Sequence, residues 1–204
     1  MRSPFAKICG LSTESEVQVA VEHGARAVGF VLTESPRQVS VERARQLAQG
    51  LPEHVPGVAV FRHEEVQQAI GQTKAAGLTW IQLHGERTST EVAQAQRAGL
   101  TVVRAVRISD AAQAFEDRGE DWLLVDASVP GSGEAWDYAA ARQLTAGRSN
   151  ILLAGGLDPE NVVRALQLSG AAGADVSSGV ERSRGVKDPQ KITAFLNAVH
   201  ASMV

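Results

Sequence analysis

Eight short runs of β-branched and aliphatic residues recur along the chain, each followed by a stretch long enough for a helix. This rhythm constrains the fold more than any other feature. The runs are residues 5–9, 27–31, 57–61, 79–83, 101–106, 122–126, 150–154 and 174–177, with starts about 21 to 30 residues apart. Their apolar positions are nearly continuous. A strand wet on one face alternates, and a strand covered on both faces does not, so the runs predict a parallel sheet buried on both sides. Capping signals punctuate the helical stretches. Thr13 with Glu16, and Thr88 with Glu91, fit the pattern in which a hydroxyl and a carboxylate satisfy N–H groups orphaned at a helix start. Asp158-Pro159 and Asp188-Pro189 put a capping acid before a proline at the first helical position. Gly24, Gly77, Gly99 and Gly173 each stand just before a strand, where glycine ends a helix in the left-handed conformation.

Eight strand–helix units fit either a closed barrel or an open doubly wound sheet. An open sheet usually carries a glycine-rich turn after its first strand, and here only Gly10 follows Cys9. The expectation is an α/β fold, a single-domain (β/α)8 TIM barrel over residues 1–204, with short loops except after strands two and six. No linker, charge run or low-complexity tract divides the chain.

Composition narrows the ligand. Net charge is −3 with no basic tract, and aromatic residues are 4% of the 204, which speaks against nucleic acid. No apolar run approaches the roughly 20 residues that span a bilayer, and no signal peptide is seen, so no membrane partner is expected. The single cysteine, Cys9, cannot form an internal disulfide, which suits a reducing, cytoplasmic setting.

In a barrel of this kind the active site lies at the carboxyl ends of the strands. Cys9 ends strand one, and reads either as a small buried hydrophobe or as a base or nucleophile. Asp126 ends strand six after three aliphatic residues. It reads either as a cap of the following loop or as a general acid whose pKa desolvation raises. Arg37, in the loop after strand two, suits a bidentate clamp on a carboxylate or phosphate, and equally a solvated loop position. His84, after strand four, is a structural histidine or a site residue. No second histidine or acid stands at ligand spacing, so no metal site is proposed. The sharper signal comes from the last two strands. Strand seven ends in Ala154-Gly155-Gly156-Leu157 and strand eight in Ser177-Ser178-Gly179-Val180. Glycines there let backbone N–H groups approach an anion, and loops seven and eight hold phosphate in many barrels. A short helix near Gly179 would add the positive end of its dipole. A small phosphorylated molecule is the favoured ligand.

At this point the chain resembles a known family. Lys7-Ile8-Cys9-Gly10, Gly29-Phe30-Val31, Ser35-Pro36-Arg37-Gln38-Val39-Ser40, Gln82-Leu83-His84-Gly85, Leu152-Leu153-Ala154-Gly155-Gly156-Leu157 and Asp175-Val176-Ser177-Ser178-Gly179-Val180-Glu181 are similar to stretches of the phosphoribosylanthranilate isomerases of tryptophan biosynthesis. They stand in the family's order and span almost the whole chain. The resemblance implies an Amadori rearrangement of N-(5-phosphoribosyl)anthranilate to 1-(2-carboxyphenylamino)-1-deoxyribulose 5-phosphate, with no cofactor and no metal. It implies Asp126 as general acid on the ring oxygen and Cys9 as general base at C2. Phosphate would sit on Gly155, Gly156, Ser178 and Gly179. Arg37 would face the anthranilate carboxylate, with His84 and Asp175 lining the remaining wall. Family members occur as monomers and homodimers, and the sequence does not choose between them. Two departures stand out. Pro130-Gly131-Ser132-Gly133, before Trp136-Asp137, replaces the family's more flexible glycine-rich stretch, and Arg184 stands where proline is expected. Both bear on loop mobility and turnover more than on reaction type.

Two alternatives remain in view. One is the related isomerase of histidine biosynthesis, or a bifunctional barrel. That group uses an aspartate at the Cys9 position and a second phosphate turn, and the loops after strands three and four lack such a turn. The other is a barrel that binds a phosphorylated metabolite without turning it over, which would not need an acid and a base together at the mouth.

Overall fold

The computed structural model describes residues 4–107, 115–126, 142, 143, 145 and 147–202. Eight parallel strands close into a barrel in sequence order: β1 Phe5–Cys9, β2 Ala27–Val31, β3 Gly57–Phe61, β4 Trp80–His84, β5 Thr101–Arg107, β6 Trp122–Asp126, β7 Ile151–Ala154 and β8 Gly173–Val176. The closing pair of β1 and β8 sets Lys7 opposite Asp175, and the pair of β1 and β2 sets Cys9 opposite Gly29. Outside run helices α1 Glu14–Glu22, α2 Val41–Ala48, α3 Val66–Ala75, α4 Ser89–Arg97, α5 Val162–Ser169 and α6 Pro189–Ala201. A short hairpin of β9 Glu181–Ser183 and β10 Val186–Lys187 follows β8. Among the described residues no helix is long and apolar enough to cross a membrane.

Strand parity explains the layers. On β1, Ala6 and Ile8 point outward into a core shared with Phe195, Leu196 and Val199 of α6. Phe5 and Cys9 point inward with Val31, Val58 and Val60. Phe5 sits on the barrel floor with its ring centroid 6.0 Å from Trp80 and 4.8 Å from Trp122. This aromatic floor closes the amino-terminal end, so the cavity opens at the carboxyl end. Buried strands with nothing exposed, such as β2 and β3, are what the continuous apolar runs predicted.

Most of the punctuation is where the sequence put it. Both capping boxes form, at Thr13 with Glu16 and at Thr88 with Glu91. Asp188 caps α6 with Pro189 at its start. Gly24, Gly77 and Gly99 have φ of +87°, +69° and +85°. Two expectations are corrected. Asp158 does accept from the N–H groups of Glu160 and Asn161, but it organises a turn, and α5 begins only at Val162. Gly173 does not end a helix. Gly170 does, at φ +69°, and Gly173 opens β8, because a Cβ there would fall 2.0 Å from the Phe5 carbonyl oxygen. β8 accordingly starts one residue early and stops before Ser177. The departure at residues 130–137 lies outside the described residues, while Arg184 stands exposed in the turn between β9 and β10.

Candidate active site

A cavity of about 280 Å³ occupies the carboxyl end of the barrel. Cys9, Arg37, His84, Asp126, Gly155, Gly156, Asp175 and Ser178 all line it, so the closure of the barrel gathers residues up to 169 positions apart in sequence. Cys9 and Asp126 end β1 and β6, three strands apart around the ring.

The wall at β1 and β8 carries buried charge. Lys7 Nζ donates to Asp175 Oδ1 at 2.8 Å, and the lysine has no exposed surface. Burial works against its ammonium, but the Asp175 carboxylate and then Cys9 outweigh that cost, and the pKa ends above the usual lysine value. Cys9 lies beside this pair among Val31 and Val60. Burial pushes its thiol up, and the attraction of Lys7 offsets that only in part.

A second network fixes the arginine expected at the anthranilate end. The loop between β2 and α2 folds back on its own strand, with Val39 N donating to Val31 O at 2.9 Å and Gln38 N to Ser35 O at 3.0 Å. Arg37 thereby faces Glu181 and pairs with it bidentately, Nε to Oε1 at 2.6 Å and Nη2 to Oε2 at 3.0 Å. Lys187 Nζ reaches the same carboxylate at 3.0 Å and the Ser177 carbonyl at 2.8 Å. Burial would raise the Glu181 pKa, but hydrogen bonds from Arg37, the Gly185 N–H and Lys187 hold it down at about 2. Arg37 is therefore not a solvated loop side chain. Its fork is held rigid and its Nη1 takes no part in the pair.

On the opposite wall, the Gln82 amide nitrogen lies 2.8 Å from His84 Nε2. Desolvation lowers the His84 pKa to about 4, so the ring is neutral near pH 7. With the amide nitrogen as donor, Nε2 accepts and the ring proton sits on Nδ1. Gln82 Oε1 is buried in the same cavity wall and has no hydrogen-bond partner among the described residues.

At the rim, Gly155 and Gly156 have φ of +84° and +64°, a pair of left-handed residues that side chains disfavour. Ser178–Val180 forms a single 3₁₀ turn. Gly179 itself is not part of the cavity lining. It docks the two loops together, since a Cβ there would fall 1.8 Å from the Leu157 carbonyl oxygen.

The sequence reading thus names most of the polar wall but gives no role to Lys7, Gln82, Glu181 or Lys187. Lys7 had a usable signal. A lysine in the middle of a strand covered on both faces must meet a counter-charge, because an unpaired buried ammonium is too costly. Glu181 and Lys187 gave none, since their pairing depends on how the hairpin after β8 turns back.

Comparison with known proteins agrees with this architecture. Residues 6–198 match the family model described as N-(5'-phosphoribosyl)anthranilate (PRA) isomerase. An N-(5'-phosphoribosyl)anthranilate isomerase from Paracoccus denitrificans is 42% identical, over 93% of this chain and 94% of that protein. The crystal structure of phosphoribosyl anthranilate isomerase from Thermotoga maritima superposes with a TM-score of 0.90 at 33% identity, covering 97% of this chain and 99% of that one. A phosphoribosyl anthranilate isomerase solved in complex with reduced 1-(o-carboxyphenylamino)-1-deoxyribulose 5-phosphate has a TM-score of 0.84 at 32% identity, with 97% and 99% coverage.

Proposed function

This chain belongs to the N-(5'-phosphoribosyl)anthranilate isomerase family, and from that premise we propose that Cys9 and Asp126 are the base and acid of the reaction at the mouth of its barrel. The reaction is the isomerisation of N-(5-phosphoribosyl)anthranilate to 1-(2-carboxyphenylamino)-1-deoxyribulose 5-phosphate, a step of tryptophan biosynthesis. Residues 1–204 are read as one domain carrying the whole site.

The single observation behind the assignment is that a thiol and a carboxyl group from different strands line one cavity whose rim holds the glycine turn of loop seven. Asp126 gives a proton to the ring oxygen, the C1–O bond breaks, and the nitrogen lone pair forms a protonated Schiff base. That cation is an electron sink, so the C2 proton becomes acidic enough for a modest base. The Cys9 thiolate removes it, and the bonding pair becomes the C1=C2 bond of an enolamine. Protonation at C1 and loss of the C2 hydroxyl proton give the ketone, with no net change in composition. Phosphate held by Gly155, Gly156 and Ser178, on two loops that Gly179 packs together, anchors one end of the sugar, which converts two encounters into one oriented complex. Arg37 meets the anthranilate carboxylate, pre-aimed by Glu181, while neutral His84 and Asp175 line the wall between.

The test is the fluorescence decay of freshly generated substrate with wild-type protein and with Cys9→Ala. Fast decay that disappears in the variant, with binding of the reduced product analogue retained, is the expected outcome. No decay with the wild type would leave a barrel that binds phosphate without this chemistry. Equal loss of turnover and binding in Cys9→Ala would contradict the base assignment.

A further inference from the structure

Lys7 occupies the interior of the barrel, with no exposed surface, two residues before Cys9 on the same inward face of β1. Its ammonium is pinned by Asp175 of β8 at 2.8 Å. Opposite Cys9 on β2 stands Gly29, and a Cβ there would be 2.9 Å from Cys9 Sγ and 3.3 Å from Lys7 Nζ. Both atoms therefore rest against one bare Cα and lie within about 6 Å of each other. At that range an opposite charge moves a pKa by about one to three units.

We infer that Lys7 is a positioning residue for the base: its ammonium, fixed by Asp175 across the barrel interior, is the counter-charge that holds the Cys9 thiolate. The inference rests on the reading of Cys9 as the base. A buried ion pair is weak ground for stability, since a well-packed apolar pair often does as well or better, so the charge here calls for another use. With a neutral thiol the Lys7–Asp175 pair is balanced; ionising Cys9 leaves one net negative charge in a dry wall. The other lysine acting on Cys9, Lys187 of β10, is already bonded to Glu181. Arg37, Arg62, His84, Arg107 and Asp126 complete the ring of charged and titratable groups around the cavity, and Arg37 is likewise bound to Glu181 while His84 is neutral. Burial pushes the thiol up, and Lys7 is the largest influence pulling it back.

Cys9 is the only cysteine in the chain, so its titration can be followed directly by the ultraviolet absorbance of the thiolate, with Cys9→Ser as the blank. In Lys7→Met the titration should move up by about one to three pH units, which is roughly ten- to thousandfold less thiolate at a given pH. The alkaline limb of kcat/KM should move with it, while binding of the reduced product analogue changes little. Asp175→Asn removes a nearby anion and leaves the ammonium, so it should move the thiol titration down. If Lys7→Met fails to fold, the Asp175→Asn shift decides alone. An unchanged or lowered thiol titration in Lys7→Met, or an unchanged or raised one in Asp175→Asn, overturns the inference. Should Cys9→Ala instead keep its turnover, it is the base assignment that falls, whatever Lys7 does to the thiol.

Discussion

Two clusters of buried charge sit on opposite faces of the same sheet, and they differ in what their charges are aimed at. On the inner face, Lys7 and Asp175 meet at 2.8 Å in the wall of the cavity beside Cys9. On the outer face, Arg104 of β5 is 1% exposed, pointing away from Val103 and Ala105 of the interior. It donates to Glu120 Oε1 at 3.0 Å and to the Glu116 carbonyl at 2.8 Å. Arg148 reaches the same Glu120 oxygen at 2.8 Å and the Phe115 carbonyl at 3.3 Å, and the Arg118 N–H reaches Oε2 at 2.9 Å. That cluster ties residues 115–120 to the barrel, and its bonds run to backbone and side chains of the fold itself. The inner pair borders the space a substrate fills. Burial of charge is thus no guide to function. The direction in which it faces is, and one step of strand parity sets that direction.

The largest effect should come from the inner face. Asp126→Asn is expected to cut turnover by about a hundred- to ten-thousandfold, the usual worth of a positioned acid, while urea unfolding stays near wild type. Retention of most of the turnover would rule out Asp126 as the acid. Next comes Glu120→Ala on the outer face, which removes the carboxylate shared by Arg104 and Arg148 and should cost about 3–5 kcal/mol in urea unfolding, with KM unchanged in the folded fraction. A loss below 1 kcal/mol, or a raised KM, would erase the contrast between the two clusters.

The pH dependence sharpens it. Burial would raise the Glu120 pKa, but hydrogen bonds from Arg104 and Arg148 hold it at about 2. A folded pKa below the unfolded one stabilises the protein above the unfolded value, about 4.3, and that contribution fades as pH falls toward 2. The stability gap between wild type and Glu120→Ala should therefore narrow across that window. The smallest effect is expected for Arg37→Ala. Losing one charge-assisted hydrogen bond to the anthranilate carboxylate, worth about 1.5–3 kcal/mol, should raise KM by roughly ten- to a hundredfold with little change in kcat. An unchanged KM would count against that contact.

Residue chemistry and spacing made much of this molecule legible. The eight apolar runs, the two capping boxes and the missing dinucleotide turn identify the barrel, and strand-end position picks out Cys9, Asp126 and the loop-seven glycines. Gly173 shows where that reading stops. A glycine before a strand looks the same whether it ends a helix or makes room for a neighbouring carbonyl, and only the approach of Phe5 distinguishes the two. Asp158 fails for a related reason, since an acid before a proline organises a turn whether or not the helix starts there.

The periodicity of elements and the residue types at the strand ends are written in the order of the residues, because helix and strand patterns are local properties of the chain. Which charges meet is instead a property of the closed barrel. Lys7 and Asp175 are 168 residues apart, and Arg37 and Glu181 are 144. No local rule specifies either pair; both exist because closing the barrel sets β1 beside β8, and with them the loop after β2 beside the hairpin that follows β8.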